Sequence, residues 1–333
     1  MRVTMVSIKD VAKEAGVAIS TVSKVLNNYP NVSEETRLKV YEVVERLNFV
    51  PNAVAATLSS KKAGRVALLL KLNNQTQAID EIDMQYISGA LRKAQELQMD
   101  VITVFFSMIQ DMSPEEMTRY FAAQSIRGII IYGLSTNDRV LHQLIRSGSF
   151  KIVVVDAPMV NETTSCVGID HEQAQYDVAR KTITENTCKR VLYISGTADG
   201  YVTGARQNGM KRLAQDLNLK MMVRCGNFSE LQAREITMRY AKNKDAVVCA
   251  SDLMAIGAMK ALIEMDIFRP VCGFDGIILM GYVGKQMNTV RQNFAHVSEE
   301  AVVEIDRLLA GSTGKKIVLP HELARIKYED IIC

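Results

Sequence analysis

Hydrophobic residues recur at helical spacing in three short segments within residues 1–50. The first segment has four of them at the i, i+3, i+4, i+7 spacing of an amphipathic helix: Ile8, Val11, Ala12 and Ala15. Ser7 precedes this segment as a helix-capping residue, and Gly16 follows it as a turn residue. Segments over residues 19–27 and 33–47 repeat the pattern. We therefore predict three helices, of which the first two are joined by a tight turn.

Beyond residue 64, short apolar runs alternate with longer amphipathic segments. The runs that predict strands cover residues 66–70, 101–106, 128–132, 152–155, 191–195, 246–250 and 271–274. Nearly continuous apolar strands that alternate with helices are typical of parallel sheets covered on both faces. The number of strands favours two doubly wound lobes. The predicted fold is therefore a small all-α helix-turn-helix head followed by an α/β body with two doubly wound parallel-sheet lobes.

Composition narrows the class of protein. At 333 residues the chain exceeds the usual size of a single core, and 48% hydrophobic residues supply enough apolar side chains for several domains. The six cysteines are scattered without a CxxC pair, which favours reduced thiols, with neither a disulfide nor a metal site. No apolar run approaches the ~18 residues of a membrane span. We therefore expect a cytoplasmic protein, associated with the nucleoid and without a metal or cofactor.

Positive charge is concentrated in the predicted head. Residues 1–62 hold 9 Lys and Arg against 6 Asp and Glu, whereas the other residues hold 31 of each sign. The formal net charge of +3 therefore lies in the first three helices and the segment that follows them. This distribution favours contact of the head with a polyanion such as nucleic acid.

The second predicted helix has the pattern of a DNA-reading helix. In a helix-turn-helix the second helix enters the major groove, and Ile19, Ser20 and Lys24 lie on its polar face. A lysine amine suits guanine acceptors, and an isoleucine can contact a thymine methyl group. Three further residues suit phosphate contacts: Thr21, Asn27 and Thr36. Periodicity alone fits a generic three-helix bundle with a solvated polar face equally well.

A family resemblance favours the DNA-binding interpretation. SIKDVAKEAGVAISTVSKVLNN at residues 7–28 and NVSEETRLKVYEVVERLNFVPNAVAATL at residues 31–58 resemble the opening of lac repressor (LacI/GalR) family regulators almost residue by residue. The resemblance implies base-reading roles for Ile19, Ser20 and Lys24. It also implies a hinge helix that folds on DNA, with Ala55 and Leu58 at the minor groove. Ala18 and Lys24 depart from the Ser and Arg that are common in the family, so base discrimination should differ.

The body resembles the same family less closely. The matching stretches are KRVLYISG from Lys189, RQNGMKRL from Arg206, AVVCASDLMAIGAMKAL from Ala246, GFDGI from Gly273 and TVRQ from Thr289. The resemblance implies a periplasmic-binding-protein-like fold, with two lobes joined by three crossovers and a ligand in the cleft between them. We predict a head at 1–50, a hinge and linker at 51–63, and a body at 64–333. Its N-terminal lobe would hold residues 64–160 and 292–321, and its C-terminal lobe residues 161–291 and the C-terminal segment.

The resemblance also indicates candidate effector-binding residues. Arg206 and Asp275 could together bind sugar hydroxyls or a nucleobase edge, although the alternatives are a surface arginine and a helix cap. Asp252 is predicted mainly to cap a helix, with a ligand role as the second option. Weaker candidates, for each of which an ordinary loop or helix-cap role is the alternative, lie beside strand ends and the last crossover: Asn73, Asn74, Tyr132, Asp156 and Gln292. Residues 73–83 lack the aromatic residue common there in the family, which leaves open an unusual ligand or a degenerate pocket.

We therefore predict a homodimeric transcription regulator, a repressor, that binds a palindromic DNA operator and responds to a small-molecule effector such as a sugar. No GxSxG, Walker or GxGxxG motif is present, so an enzyme is not expected. One alternative is a catabolite-control-type regulator that answers to a phosphorylated carrier protein. Another is a solute-binding protein, against which residues 1–62 argue.

Overall fold

The computed structural model describes residues 7–26, 32–47, 65–71, 80–283 and 286–326. The chain divides into two units, which we call the head (Met1–Ala63) and the body (Gly64–Cys333). None of the described helices is both long and apolar enough to cross a membrane.

The head contains three helices in its described residues: α1 (Ile8–Ala15), α2 (Ile19–Leu26) and α3 (Glu34–Arg46). At the start of α1 the Asp10 carboxylate accepts hydrogen bonds from the Ser7 amide at 2.8 Å and the Ser7 hydroxyl at 2.7 Å. Gly16 ends α1 at a φ of +66°, a conformation that favours glycine. The apolar faces meet in one core: Val11, Ala12, Ala15, Val22, Val25, Val40 and Val43. The three helices and their apolar faces are thus confirmed.

The first lobe of the body is built on a six-stranded parallel sheet. Its elements are β1 (Arg65–Leu70), α4 (Asp80–Glu96), β2 (Val101–Phe105), α5 (Pro114–Ala123), β3 (Ile126–Ile131), α6 (Arg139–Ser147), β4 (Lys151–Val155) and β5 (Thr164–Ile169), with two later elements, α11 (Phe294–Leu309) and β11 (Lys316–Leu319). The strand order is β11-β5-β4-β3-β1-β2. Successive residues of β1 face opposite cores, since Leu68 packs with α4 and α11 whereas Leu69 packs with α5 and α6. Both faces are therefore covered, as predicted.

The second lobe repeats this architecture. Its elements are α7 (His171–Glu185), β6 (Arg190–Ser195), α8 (Tyr201–Asp216), β7 (Lys220–Cys225), α9 (Glu230–Tyr240), β8 (Ala246–Cys249), α10 (Asp252–Glu264), β9 (Val271–Cys272), β10 (Asn288–Arg291) and β12 (Glu322–Arg325). The strand order is β12-β10-β9-β8-β6-β7, and β12 pairs antiparallel with β10 at the edge. The chain passes between the sheets three times: from β5 to α7, from β10 to α11 and from β11 to β12.

The first crossover lies later in the chain than predicted. The predicted end of the first segment of the N-terminal lobe is near residue 160, but β5 pairs with β4 and β11 in the first sheet. The chain therefore crosses between Ile169 and His171. The predicted run at residues 271–274 also forms a strand of only two residues. The pattern did not predict the strands that mix polar with apolar residues or lie at sheet edges, namely β5, β7, β10, β11 and β12.

Candidate functional site

The exposed face of α2 carries the predicted base-reading residues. Ile19 is 45% exposed, and Ser20 and Lys24 are also exposed. Val22 and Val25 on the opposite face are buried in the core of the head. One side of α2 therefore packs into the core of the head, and the opposite side is exposed to solvent.

The predicted phosphate-contacting residues are described only in part. Thr21 is half-buried on α2. The Thr36 hydroxyl lies 2.8 Å from the Ser33 hydroxyl at the start of α3, so it also contributes to the cap of that helix. Three predicted positions lie outside the described residues: Asn27, Ala55 and Leu58.

A cavity of about 740 Å³ lies between the two lobes of the body. It opens at the carboxyl ends of strands from both sheets, since Tyr132 follows β3, Asp156 follows β4 and Ser251 lies just beyond β8. This is where parallel α/β sheets bind ligands, and the volume falls within the ~300–1,000 Å³ range of small-molecule sites.

Three of the predicted effector-binding residues meet at the cavity wall. Nη2 of Arg206 lies 3.4 Å from the Asp275 carboxylate, and Nε2 of Gln292 donates to the same oxygen at 3.1 Å. All three side chains line the cavity and are almost completely buried. Oε1 of Gln292 has no hydrogen-bond partner among the described residues. The three side chains therefore combine hydrogen-bond donors with acceptors at the cavity wall.

Arg206 is held by more than its carboxylate partner. Its Nη1 donates to the carbonyl of Ala250, and its guanidinium lies 3.6 Å over the ring of Phe274. Nε and Nη2 also lie 3.4 and 3.3 Å from Nδ1 of His171. Arg206 is only 4% exposed, so the surface-arginine alternative is wrong.

Asp252 stands behind the cavity wall and supports it. It is 0% exposed and is absent from the cavity lining. Its carboxylate accepts from the amides of Gly276 and Ile277 at 2.7 and 2.9 Å and from the Thr289 hydroxyl at 2.6 Å. It therefore fixes the turn that follows Asp275, whose φ is +123°. This contact disfavours the ligand role considered for Asp252, since its acceptors face the protein.

Burial dominates the electrostatics of the two acidic residues. It raises the pKa of Asp252, and the nearby carboxylate of Asp275 raises it further. Burial also raises the pKa of Asp275, while Arg206 opposes the change. A buried carboxylate keeps its charge only where a nearby cation or hydrogen-bond donors compensate for the lost solvation, as Arg206 does for Asp275.

The remaining predicted residues differ in position. Tyr132 lines the cavity, with its hydroxyl 2.5 Å from that of Ser298. Asn73 and Asn74 lie outside the described residues. Asp156, one of the weaker predicted candidates, lines the cavity and lies 2.8 Å from Nε2 of His171. Tyr86 also lines the cavity, but neither Tyr86 nor His171 was among the predicted site residues. Only Asp156, at a strand end, carried a signal in the sequence. Tyr86 lies inside α4, where periodicity indicates only a buried position.

Aromatic rings form much of the remaining wall. The Tyr86 ring centroid lies 4.8 Å from that of Tyr132 and 5.3 Å from that of Phe294. In the second lobe, Phe228 lines the cavity at a φ of +57°, and its ring occupies the space that a side chain at Gly196 would fill. Flat apolar surfaces of this kind suit the stacking of a ring-shaped ligand.

Direct contacts between residues 135–137 and residues 199–200 join the lobes at one edge of the cavity. Ser135 pairs with Gly200 in an isolated antiparallel bridge. The amide and hydroxyl of Thr136 donate to the carbonyl of Asp199 at 2.9 and 3.1 Å. Nδ2 of Asn137 lies 3.4 Å from the Asp199 carboxylate. The two lobes are therefore joined by hydrogen bonds within the protein at this edge.

A helix-turn-helix head and a two-lobed body with a ligand-sized cavity are the parts of a ligand-responsive DNA-binding regulator. Residues 7–52 match the family model described as bacterial regulatory proteins, lacI family. Residues 65–270, more than half of the chain, match the model described as periplasmic binding proteins and sugar binding domain of LacI family. The chain belongs to the LacI family of bacterial transcription regulators.

Individual proteins are similar over nearly the whole chain. The HTH-type transcriptional regulator MalR of Clostridium butyricum is 28% identical and covers 95% of this chain and 97% of its own. Catabolite control protein A of Staphylococcus aureus is 29% identical, with coverage of 97% and 98%. The lac repressor dimer bound to operator and the anti-inducer ONPF has a similar fold, with a TM-score of 0.81 at 21% identity and coverage of 98% and 99%.

Proposed function

We propose that the chain is a homodimeric repressor that binds a palindromic operator through its head and is controlled by a small uncharged effector, such as a sugar, in the cavity of its body. The observation that carries the effector assignment is the buried group of Arg206, Asp275 and Gln292 at the cavity wall. We assign the cavity a binding role and no catalytic role, because the similar proteins named above are transcription regulators.

The DNA-binding assignment rests on the face of α2 that the core of the head leaves exposed. Ser20 and Lys24 can donate hydrogen bonds to base edges, and Ile19 can contact a thymine methyl group. One head reads only a half-site, so a two-fold dimer would read a palindrome. Exposed apolar side chains occur on both lobes, among them Met84 on α4 and Tyr282 in the second lobe, and are candidates for the dimer contacts.

The charges around the cavity favour an uncharged effector. Among the residues that the structure describes, four carboxylates line it, those of Asp83, Asp156, Asp199 and Asp275, against the two cations Lys71 and Arg206. Each cation already faces a carboxylate, because Lys71 binds Asp138 at 2.8 Å and Arg206 faces Asp275. A phosphate ester would therefore meet a negative surface, whereas sugar hydroxyls can pair with these acceptors and with the Arg206 guanidinium.

Selection of random duplex DNA tests the operator half of the proposal. The full chain should enrich a palindrome, and Val22→Asp should abolish enrichment because it places a carboxylate in the core of the head. The oligomeric state of both proteins, measured by sedimentation, controls for the body. Enrichment that survives Val22→Asp would contradict the role of the head.

Calorimetry with the full chain tests the effector half. The panel pairs cellobiose and other neutral sugars with their phosphate esters, and Arg206→Lys and Gln292→Glu serve as site variants. Binding of neutral members, weakened by both substitutions, would support the proposal. Equal binding of the phosphate esters would contradict the uncharged effector. If no small molecule binds and a phosphorylated carrier protein is captured instead, the catabolite-control alternative would replace this half.

A further inference from the structure

His171 occupies the crossover between the lobes and touches both. It is the first residue of α7 in the second lobe and is only 5% exposed. Its Nε2 lies 2.8 Å from Oδ1 of Asp156, which follows β4 of the first lobe. Its Nδ1 faces Nε and Nη2 of Arg206 on α8 of the second lobe, at 3.4 and 3.3 Å. One imidazole ring thus links the candidate effector-binding arginine to the opposite lobe.

The partners of the ring define where its proton lies. A guanidinium only donates hydrogen bonds, so Nδ1 must be the unprotonated acceptor. A carboxylate only accepts them, so Nε2 must carry the hydrogen that Asp156 receives. Of the three protonation states of histidine, only the neutral Nε2–H tautomer satisfies both neighbours. Burial also lowers the pKa of His171, against the opposing effect of Asp156.

The surroundings on every side hold the ring in this orientation. The Phe274 ring stacks on it at 5.7 Å with an interplanar angle of 27°, and the Arg206 guanidinium covers the same phenyl ring. Asp156 also accepts from the Tyr86 hydroxyl at 3.2 Å. Other charged groups near the ring are Asp170, which caps α7, Asp275 beyond Arg206, and Glu172 and Lys316, which line a pocket together with His171. A second ring proton would point at the guanidinium, where it would meet like charge and break the Arg206 contact.

We infer that His171 is a positioning residue that couples Arg206 to the first lobe through its fixed tautomer and Asp156. A ligand that draws the guanidinium toward the cavity weakens its donation to Nδ1, and the ring then changes its hold on Asp156 at the end of β4. Binding of a ligand to Arg206 in the second lobe thereby changes the contact with Asp156 in the first lobe. This inference rests on the effector role proposed for Arg206, whereas the tests below need no effector.

Long-range proton–nitrogen NMR spectra of the full chain labelled with ¹⁵N-histidine test the tautomer. The His171 signals, assigned by their loss in His171→Asn, should show a protonated Nε2 and an unprotonated Nδ1. Arg206→Met removes the donor that faces Nδ1 and the positive charge that lowers the pKa of His171, so Nδ1 should take up a proton at a higher pH than in the unsubstituted chain, while Nε2 keeps the hydrogen that Asp156 receives. A protonated Nδ1 in the unsubstituted chain, or a pH dependence of the spectra unchanged by Arg206→Met, would overturn the assignment.

A comparison of two His171 variants tests the coupling. Asn carries an acceptor near the Nδ1 position but does not reach Asp156, whereas the longer Gln can donate to Asp156. In the unsubstituted background, Arg206→Lys and Asp156→Asn should be non-additive in the unfolding equilibrium constant by about fivefold or more, as for other linked pairs. His171→Asn should abolish this non-additivity and His171→Gln should retain part of it.

Additive effects of Arg206→Lys and Asp156→Asn in the unsubstituted chain, or the same non-additivity with His171→Asn, would refute the coupling. These outcomes differ from failure of the proposed function, which is a failure of every small molecule to bind the cavity. If a variant does not fold, the tautomer measured on the unsubstituted chain still decides whether His171 links Arg206 to Asp156.

Discussion

The two candidate binding surfaces are built in opposite ways. On α2, the residues predicted to read bases are exposed and take no part in the core of the head. At the cavity, the candidate ligand-binding residues are buried and hydrogen-bonded to one another across several elements. In the head, the predicted base-reading residues are therefore different from those that stabilise the fold. In the body, the same residues are candidates for both roles. A substitution should change DNA selection at little structural cost, but a change at the cavity should also affect folding.

The largest effect is expected for Arg206→Met. It removes the guanidinium that neutralises Asp275 and satisfies the Ala250 carbonyl, so a buried carboxylate loses its cation. Breaking a buried ion pair on one side costs about 3–5 kcal/mol in the free energy of unfolding. Denaturant unfolding measures it, with Arg212→Met as the matched control on the same helix. Arg212 pairs with Glu172 at the surface, where such pairs contribute about 0–1 kcal/mol. Equal losses in the two variants would contradict the comparison.

Asp252→Asn should change how stability depends on pH. Burial raises the pKa of Asp252 in the folded protein above the value of the unfolded chain, so between these values the folded state binds the extra proton. Stability from this residue is present at low pH and is lost as the pH rises through this window, by up to about 1.4 kcal/mol per pH unit. Asn cannot titrate. The difference between the two proteins removes the slope of His171, which both share, and leaves the joint titration of Asp252 and its neighbour Asp275. A difference that is constant with pH would argue against this effect.

The sequence predicts the head more completely than the cavity. Local patterns such as the spacing of Val22 and Val25 define both the core of α2 and its free face, so the exposed residues follow directly. The cavity depends on strands brought together over long separations, and Asp156 and Arg206 meet only through His171. The pattern places His171 near a helix start and Tyr86 within a helix, but it does not show which partners they face. A strand such as β7, with apolar and polar residues mixed at a sheet edge, lacks the continuous apolar run that predicts a strand.

A smaller effect is expected for Gly16→Ala in the turn between α1 and α2. No atom lies within 4 Å of the added Cβ, so the cost comes only from the φ of +66° and should be about 1–2 kcal/mol. Gly204→Ala is the matched control, since its Cβ also meets nothing but its backbone is helical. That change should stabilise the body by about 0.5–1 kcal/mol. Hydrogen exchange resolved to each region measures both, and destabilisation by both substitutions would contradict the backbone explanation.

The smallest effect on stability is expected for Lys24→Ala. The side chain is exposed and outside the core of the head, so the free energy of unfolding should change by less than about 0.5 kcal/mol. DNA selection should nevertheless relax at one base pair of each half-site, where a good base contact discriminates by about 1–3 kcal/mol. Selection from random duplexes by the unsubstituted and substituted chains measures this change.

Lys13→Ala supplies the control for Lys24→Ala, because it removes the same charge from an exposed position on α1 rather than on α2. Loss of charge alone weakens binding to all sequences alike, whereas loss of a base contact alters the selected sequence. If both variants select the operator of the unsubstituted chain, α2 does not read bases through Lys24. If Lys24→Ala instead destabilises the head, binding and stability are joined there too, and the contrast with the cavity fails.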